Sequence, residues 1–143
     1  MKKGFTLVEL LVVIGIMAVM LTTVSVISIR GTLQKSNDQK RKADLESVRA
    51  ALEQYKSNSQ TREYPNVSIW MNLTPTLTPY MPVAPADPVG NSYYYGPLTD
   101  GFGKISKYQM CAYLEAVPQP TPGACGTNTC GGSFVCNYKV GQP

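Results

Sequence analysis

The sequence is poor in the side chains that carry out catalysis. Its 143 residues include no histidine and only nine acidic residues, which are scattered along the chain. Histidine most often serves as the general base or the catalytic metal ligand near neutral pH, so its absence narrows the available chemistry. The length allows at most one ordinary domain and an anchor, which excludes a large two-lobed enzyme.

Proline is missing from the front of the chain, because all eleven prolines follow Tyr64. Nothing before that residue would break a long helix. The four cysteines also lie in the later part of the sequence. The chain therefore divides into a proline-free front and a proline-rich, cysteine-bearing back.

The net charge of +4 belongs to the front of the chain. From Tyr64 onward, three acids balance three bases, namely Asp87, Asp100, Glu115, Lys104, Lys107 and Lys139. A neutral back half gives little support for a phosphate-binding face. We therefore expect no nucleic acid among the partners of this protein.

A long apolar run follows the first few residues. Residues 10–29 are twenty positions without a charge, and as a helix they would be about 30 Å long, which matches the hydrocarbon layer of a membrane. A secretory signal peptide is the alternative. It is disfavoured because the run is longer than a typical signal core, no A-x-A-like cleavage site follows, and Glu9 lies near the beginning of the run.

The stretch "KKGFTLVELLVVIGIMAVM" resembles the amino terminus of type IV pilin-like proteins, which include the pilins and the pseudopilins of type II secretion. In that family a prepilin peptidase removes a short basic leader that ends in glycine, and then methylates the new amino terminus. The resemblance places the cut between Gly4 and Phe5. Phe5 would be the methylated first residue, and Glu9 the fifth residue of the mature chain.

Glu9 is the anomaly of the apolar front. A carboxylate within lipid costs on the order of 2–3 kcal/mol near the centre of a helix, and it normally marks function. In this family its partner would be the terminal amine, carried by Phe5, of a neighbouring subunit, so that the pair sets the register of a helical stack. The alternative is a carboxylate that snorkels to the lipid headgroups.

The helix is predicted to continue beyond the membrane. Leu45, Val48, Leu52 and Tyr55 recur at helical spacing and form an apolar stripe that would pack on a head domain. The polar stretch at 34–42 predicts either a solvent-exposed helix or a locally unwound one. Many relatives have a proline at the position of Val26, so here local melting near 31–40 stays open.

The orientation in the membrane rests on two conflicting signals. Basic residues flank the far end of the span, namely Arg30, Lys35, Lys40, Arg41 and Lys42. Taken alone, the positive-inside rule would place that end in the cytoplasm. The family implies the opposite, long following domains translocate largely regardless of charge, and the cysteines suit an oxidising exterior. We therefore expect a single-pass protein of the cytoplasmic (inner) membrane with its amino terminus inside.

The back half extends the likeness. The segments "LEQYKSNSQTREYP" and "YMPVAPADPVGNSYYYG" resemble the major-pseudopilin pattern, so the similarity covers roughly residues 1–96. Asp87-Pro88 and Gly90-Asn91 are turn-forming pairs, and residues 92–95 favour a β-strand. Major pseudopilins commonly bind calcium in an acidic loop after that strand. Here the loop offers only Asp100, so we expect no bound calcium.

The four cysteines predict two disulfides. Two segments that look like strands carry Cys111 and Cys136, so a bridge between them across an antiparallel pair is one of three possible pairings, with Cys125 bonded to Cys130. The alternative is a tetrathiolate zinc site. The spacing lacks paired C-x-x-C units, which disfavours it.

These features predict an α+β pilin fold, in which a long amino-terminal helix packs on a small antiparallel sheet. The predicted parts are a leader at 1–4, a membrane half of the helix at 5–29, an amphipathic extracytoplasmic half at 30–58, and a head at 59–143. The resemblance implies a structural subunit of a type IV pilus-like filament, with the major pseudopilin of a type II secretion-like system as the favoured role. We expect the subunit to have no enzymatic activity and no cofactor. Its partners would be the prepilin peptidase, copies of itself, the membrane and an inner-membrane assembly platform.

Two other functions remain open at this stage. The chain could be a surface pilus subunit for adhesion, motility or DNA uptake. It could also be a single-span tethered binding module that neither loses a leader nor polymerises.

Overall fold

The computed structural model describes residues 4–116 and 124–141, with the side chains in these ranges except those of residues 22–28. The elements in chain order are helix α1 (Leu7–Asn58), a short 3-10 helix (Trp70–Asn72), helix α2 (Leu73–Leu77) and the strands β1 (Tyr94–Thr99), β2 (Ile105–Ala112) and β3 (Tyr138–Gly141). The leader positions before Gly4 lie outside the described residues.

Helix α1 is continuous over 52 residues. Thr6 caps its first turn in an extended conformation, and the chain leaves the helical conformation at Ser59, which agrees with the predicted end near Ser57. The helix runs through residues 31–40, so this structure has a regular helix where local melting was left open. Within the described ranges, no helix is long and apolar enough to cross a membrane. The side chains of residues 22–28, in the predicted span, are among those not described.

The sheet is small and antiparallel, with the strand order β1-β2-β3. Tyr95 of β1 lies opposite Met110 of β2, and Met110 lies opposite Val140 of β3. Strand β1 contains Pro97, which an edge strand tolerates. The α+β arrangement predicted from the sequence is thus confirmed.

The core forms where α1 crosses the sheet. The predicted apolar stripe is buried at Leu45, Val48 and Leu52, and Tyr55 is half-buried beside it. These side chains pack with buried residues of α2, of the strands and of the position just before β1, namely Leu73, Leu77, Tyr93, Tyr95, Ile105, Tyr108, Met110 and Val140. Each fully buried aliphatic side chain contributes about 1.5–3 kcal/mol of transfer free energy, which fixes the second half of α1 to the head.

The disulfide pairing differs from the prediction. The bonds join Cys111 to Cys125 and Cys130 to Cys136, and among the described residues every cysteine is bonded. The pairing of Cys111 with Cys136 was wrong because β3 begins only at Tyr138, and its register places Lys139 opposite Cys111. Cys136 therefore precedes the ladder and reaches the Gly-rich turn instead.

Candidate assembly site

The amino-terminal motif lies on the first turn of α1. Thr6 accepts a hydrogen bond from the backbone N–H of Glu9 at 3.3 Å through its hydroxyl oxygen, which satisfies one of the unpaired donors of the helix end. Glu9 is the acidic residue of that turn, where a carboxylate interacts favourably with the helix dipole. The helix therefore begins two residues after Phe5, and Glu9 lies close to that beginning.

The residues around the predicted cleavage point are accessible. Phe5 is 81% exposed, and a side chain at Gly4 would meet open space. A peptidase could therefore reach the bond between them without unfolding the head. The structure brings Gly4, Phe5 and Glu9 to one end of the molecule, and their roles in cleavage, methylation and assembly remain predictions.

The front of α1 presents an apolar surface. Every described side chain from Leu7 to Leu21 is exposed. A shallow groove runs along one face, lined by Leu11, Val12, Gly15, Ile16, Val19 and Met20. Nothing lies within 4 Å of a Cβ placed at Gly15, so another helix could approach closely there. An apolar surface of this size is typical of an interaction with lipid or with another protein chain.

A buried ionic cluster joins the helix to the head at Arg41. Its guanidinium group donates to Asp87 at 2.6 Å, to Glu115 at 2.7 Å and to Asp38 at 2.9 Å. The side chain of Arg41 is completely buried, and those of Asp38 and Asp87 nearly so. One residue of α1 therefore holds two distant loops of the head through charge-assisted hydrogen bonds.

Burial and pairing act in opposite directions on these groups. Burial by itself would lower the pKa of Arg41, but the hydrogen bonds that its guanidinium group donates to Asp87, Glu115 and Asp38 outweigh burial, and the pKa of Arg41 is raised. Burial by itself would raise the pKa of Asp87, but hydrogen bonds from Arg41 and from the backbone N–H of Val89 hold the pKa of that carboxyl below its usual value. Both groups are therefore charged near neutral pH.

The carboxylates of the cluster also fix the backbone of the loops. Asp38 accepts hydrogen bonds from the N–H groups of Glu115 at 2.9 Å and Ala116 at 2.8 Å. Asp87 accepts from Val89 at 2.9 Å and from Asn91 at 3.2 Å. The described buried side chains contain no unpaired nitrogen or oxygen atom. The cluster sets where the head begins along α1.

The sequence did not predict this cluster. Asp38 and Arg41 lie in the polar stretch at 34–42, for which the sequence predicted a solvent-exposed or a locally unwound helix. Both residues are instead buried within a regular helix, so that prediction is wrong for them. Their spacing of three residues is a recognisable signal for an ion pair on one helix. The contribution of Asp87 and Glu115 depends on the fold of the two loops and has no local signal.

Asp100 was the candidate for a calcium ligand. One of its carboxylate oxygens accepts the N–H groups of Phe102 and Lys104, each at 2.9 Å, so it organises its own turn. Among the residues that the structure describes, no three acidic or cysteine side chains are grouped so that they could hold a metal ion.

The chain is similar to known proteins both in its amino-terminal motif and over most of its length. Residues 1–25 match the family described as the prokaryotic N-terminal methylation motif. The chain is 34% identical over 104 residues to the type II secretion system core protein G of Escherichia coli (strain K12), which covers 64% of this chain and 70% of that protein. It is 32% identical over 122 residues to the protein of the same name from Aeromonas hydrophila, which covers 76% and 82%. No solved structure matches significantly.

Proposed function

Since the chain belongs to the family of the type II secretion system core protein G, we propose that it is the major pseudopilin of a type II secretion-like machine. Its role is structural and not enzymatic. It is the repeating subunit of a type IV pilus-like filament whose growth moves cargo outward. The observation that carries this proposal is the methylation motif, matched over residues 1–25, on an exposed apolar helix whose other half carries the head.

The first step is the processing of the precursor. A prepilin peptidase cuts between Gly4 and Phe5 on the cytoplasmic side and methylates the amine of Phe5. Support comes from the exposure of both residues and from the match of the motif. The cut leaves a cationic amine at the edge of the apolar surface, and methylation keeps its charge.

The second step is retention in the inner membrane. The apolar front of α1 anchors the subunit, with its amino terminus in the cytoplasm and its head outside. The two disulfides support this orientation, since such bonds persist in oxidising compartments. The assembly platform of the machine then collects subunits from the membrane.

The third step is polymerisation through the front of α1. The carboxylate of Glu9 in one copy pairs with the amine of Phe5 in the next copy. Each group is poorly solvated within an apolar bundle, so each stabilises the other there. The apolar groove beside Gly15 gives the neighbouring helix a surface to pack on. The heads form the outside of the filament.

Mass spectrometry of the native protein tests the processing step. We expect a mature chain that begins with N-methylated Phe5. An intact Met1, or a cut near residue 30, would contradict the proposal. Those results would favour a tethered module or a cleaved secretory precursor respectively.

The substitution Glu9→Leu tests the pairing. We expect this variant to insert into the membrane but to form no filaments in electron micrographs of material sheared from cells. Glu46→Leu is the matched control, because it removes an exposed carboxylate, 54% accessible, from the head-bound half of the same helix. Normal filaments from Glu9→Leu, or equal losses in the two variants, would refute the role of Glu9.

A further inference from the structure

One aromatic side chain of the head is almost fully exposed. Phe102, on the tip that connects β1 to β2, is 98% accessible. The tip is rigidly built, because Asp100 accepts the N–H groups of Phe102 and Lys104 at 2.9 Å through its side chain and that of Gly103 at 3.1 Å through its carbonyl. Gly103 has a φ of 79°, which favours glycine. These bonds fix the backbone of the turn, from which the ring of Phe102 projects into solvent. We call this ring the knob.

An apolar cavity lies on another part of the head. It has a volume of about 760 Å³, within the range of about 300–1,000 Å³ that is typical of binding pockets. Trp70 and Tyr93 line it, with their rings 4.9 Å apart and tilted edge to face. The rim includes Met71 and Val83, which are 79% and 70% exposed. We call this cavity the Trp70 groove.

The knob and the groove lie at opposite ends of the head. The groove is near the residue where the head begins on α1, because Tyr93 donates to Asp44 at 2.7 Å. The knob lies beyond the opposite end of the head. At the base of the tip, the carbonyl of Ile105 accepts a hydrogen bond from the backbone N–H of Tyr64, and the hydroxyl of Tyr64 donates to Glu53 near the end of α1. Asp44 and Glu53 are about 14 Å apart along the helix. A chain therefore cannot fill its own groove with its own Phe102.

We propose that Phe102 of one copy inserts into the Trp70 groove of a second copy that follows it along the filament. The inference rests on the proposed function, because a polymer of parallel copies brings the tip end of one head to the groove end of another. A contact between two different surfaces of one chain propagates without closing, as a filament requires. A single aromatic anchor in an apolar pocket is also a typical hot spot of an interface.

Crosslinking of the full chain in cells that carry its assembly machine tests the contact. The pair Phe102→Cys with Met71→Cys places one thiol on the knob and one on the rim, and the native cysteines are bonded to each other. A bifunctional maleimide should then produce a ladder of covalent multimers. The control pair, Phe102→Cys with Lys139→Cys, uses an exposed position on β3, at the other sheet edge, and should give no ladder.

The outcomes separate this inference from the proposed function. Filaments with N-methylated Phe5 but no ladder from the first pair, or equal ladders from both pairs, would overturn the inference and leave the proposed function standing. A product that joins position 71 to a different polypeptide, with none between copies, would assign the groove to another partner and overturn it also. A chain that keeps Met1 and forms no filament would overturn both proposals.

Substitution of the knob gives a second readout. Phe102→Ala should reduce the amount and length of sheared filaments, whereas Leu98→Ala, a change of a 41% exposed apolar residue in β1, should not. Both positions are exposed, so unchanged Trp70 fluorescence would show that the heads are folded. Filaments of normal abundance and length from Phe102→Ala would contradict the contact.

Discussion

The two halves of helix α1 differ in where their apolar surface is covered. Before Asn37, every described side chain of the helix is exposed, including large apolar ones such as Leu7 and Leu10. From Asp38 onward, one face is buried on the sheet. The second half therefore packs within the chain, whereas the described apolar side chains of the first half are left uncovered by the chain itself.

The change from exposed to buried side chains along α1 occurs within a few residues, at the ionic cluster around Arg41. Among the described side chains of the helix, Asp38 and Arg41 are the first that are buried, and they bind loops that lie 46 and 74 residues from Arg41 along the chain. A buried charge is costly unless it is paired, so the cluster tolerates little variation in the position of the loops. We infer that the cluster fixes the position of the head along helix α1.

Removal of Arg41 should have the largest effect on the packing of the head against the second half of α1. We expect Arg41→Met to lower the free energy of unfolding of the head by about 3–5 kcal/mol, because the buried carboxylates of Asp38 and Asp87 lose their counter-charge. Urea unfolding of the full chain in detergent measures the effect. Trp70, the single tryptophan, lies in the head and reports its unfolding through fluorescence.

Lys40→Met is the matched control, since it removes a neighbouring but exposed cation from the same helix. We expect it to shift the urea midpoint little. A loss in Arg41→Met no larger than that in Lys40→Met would show that the cluster does not hold the head.

The disulfides should stabilise the head to unequal degrees. The bond between Cys111 and Cys125 spans 14 residues and that between Cys130 and Cys136 spans 6. By the loop-entropy relation, their removal as paired serine variants should cost about 3 and 2 kcal/mol respectively. The urea midpoints of the two variants measure this order. A pairing of Cys111 with Cys136 in peptide mass maps would contradict the structure itself.

Acid should weaken the ionic cluster that joins α1 to the head. The folded-state pKa of Asp87 lies below its usual value of 3.8. Its contribution to stability is therefore fully present above that value and is lost as the pH falls through the folded pKa. We expect the urea midpoint to fall on acidification below about pH 4. Asp87→Asn should lower the midpoint at pH 7 and weaken its dependence on acid. An unchanged dependence in that variant would assign the acid sensitivity to other groups.

The smallest expected effect is in the first half of the helix. Gly31→Ala should stabilise the exposed helix locally by about 1 kcal/mol, because glycine is a poor helix former and the added methyl group meets open space. Amide exchange near residue 31 should slow, while the urea midpoint of the head should stay the same.

Ala50→Gly, at an exposed position of the head-bound half, is the control and should instead lower that midpoint. A midpoint that responds to Gly31→Ala would show that the two halves are coupled.

The sequence by itself determined the parts that depend on neighbours along the chain. Helical spacing predicted the buried stripe at Leu45, Val48 and Leu52, and the absence of proline before Tyr64 predicted a long helix without a proline break. The amino-terminal motif with Glu9 was also visible at once. Such features follow from local periodicity and from residue types at short spacing.

Only the tertiary structure decided which distant groups meet. Cys111 bonds to Cys125 and not to Cys136 because the register of β3 places Lys139, and not Cys136, opposite Cys111. Arg41 is buried and not exposed to solvent because Asp87 and Glu115, which lie on two separate loops, accept hydrogen bonds from its guanidinium group. Long-range pairs of this kind depend on how loops close and pack, and no pattern confined to a few neighbouring residues encodes that choice.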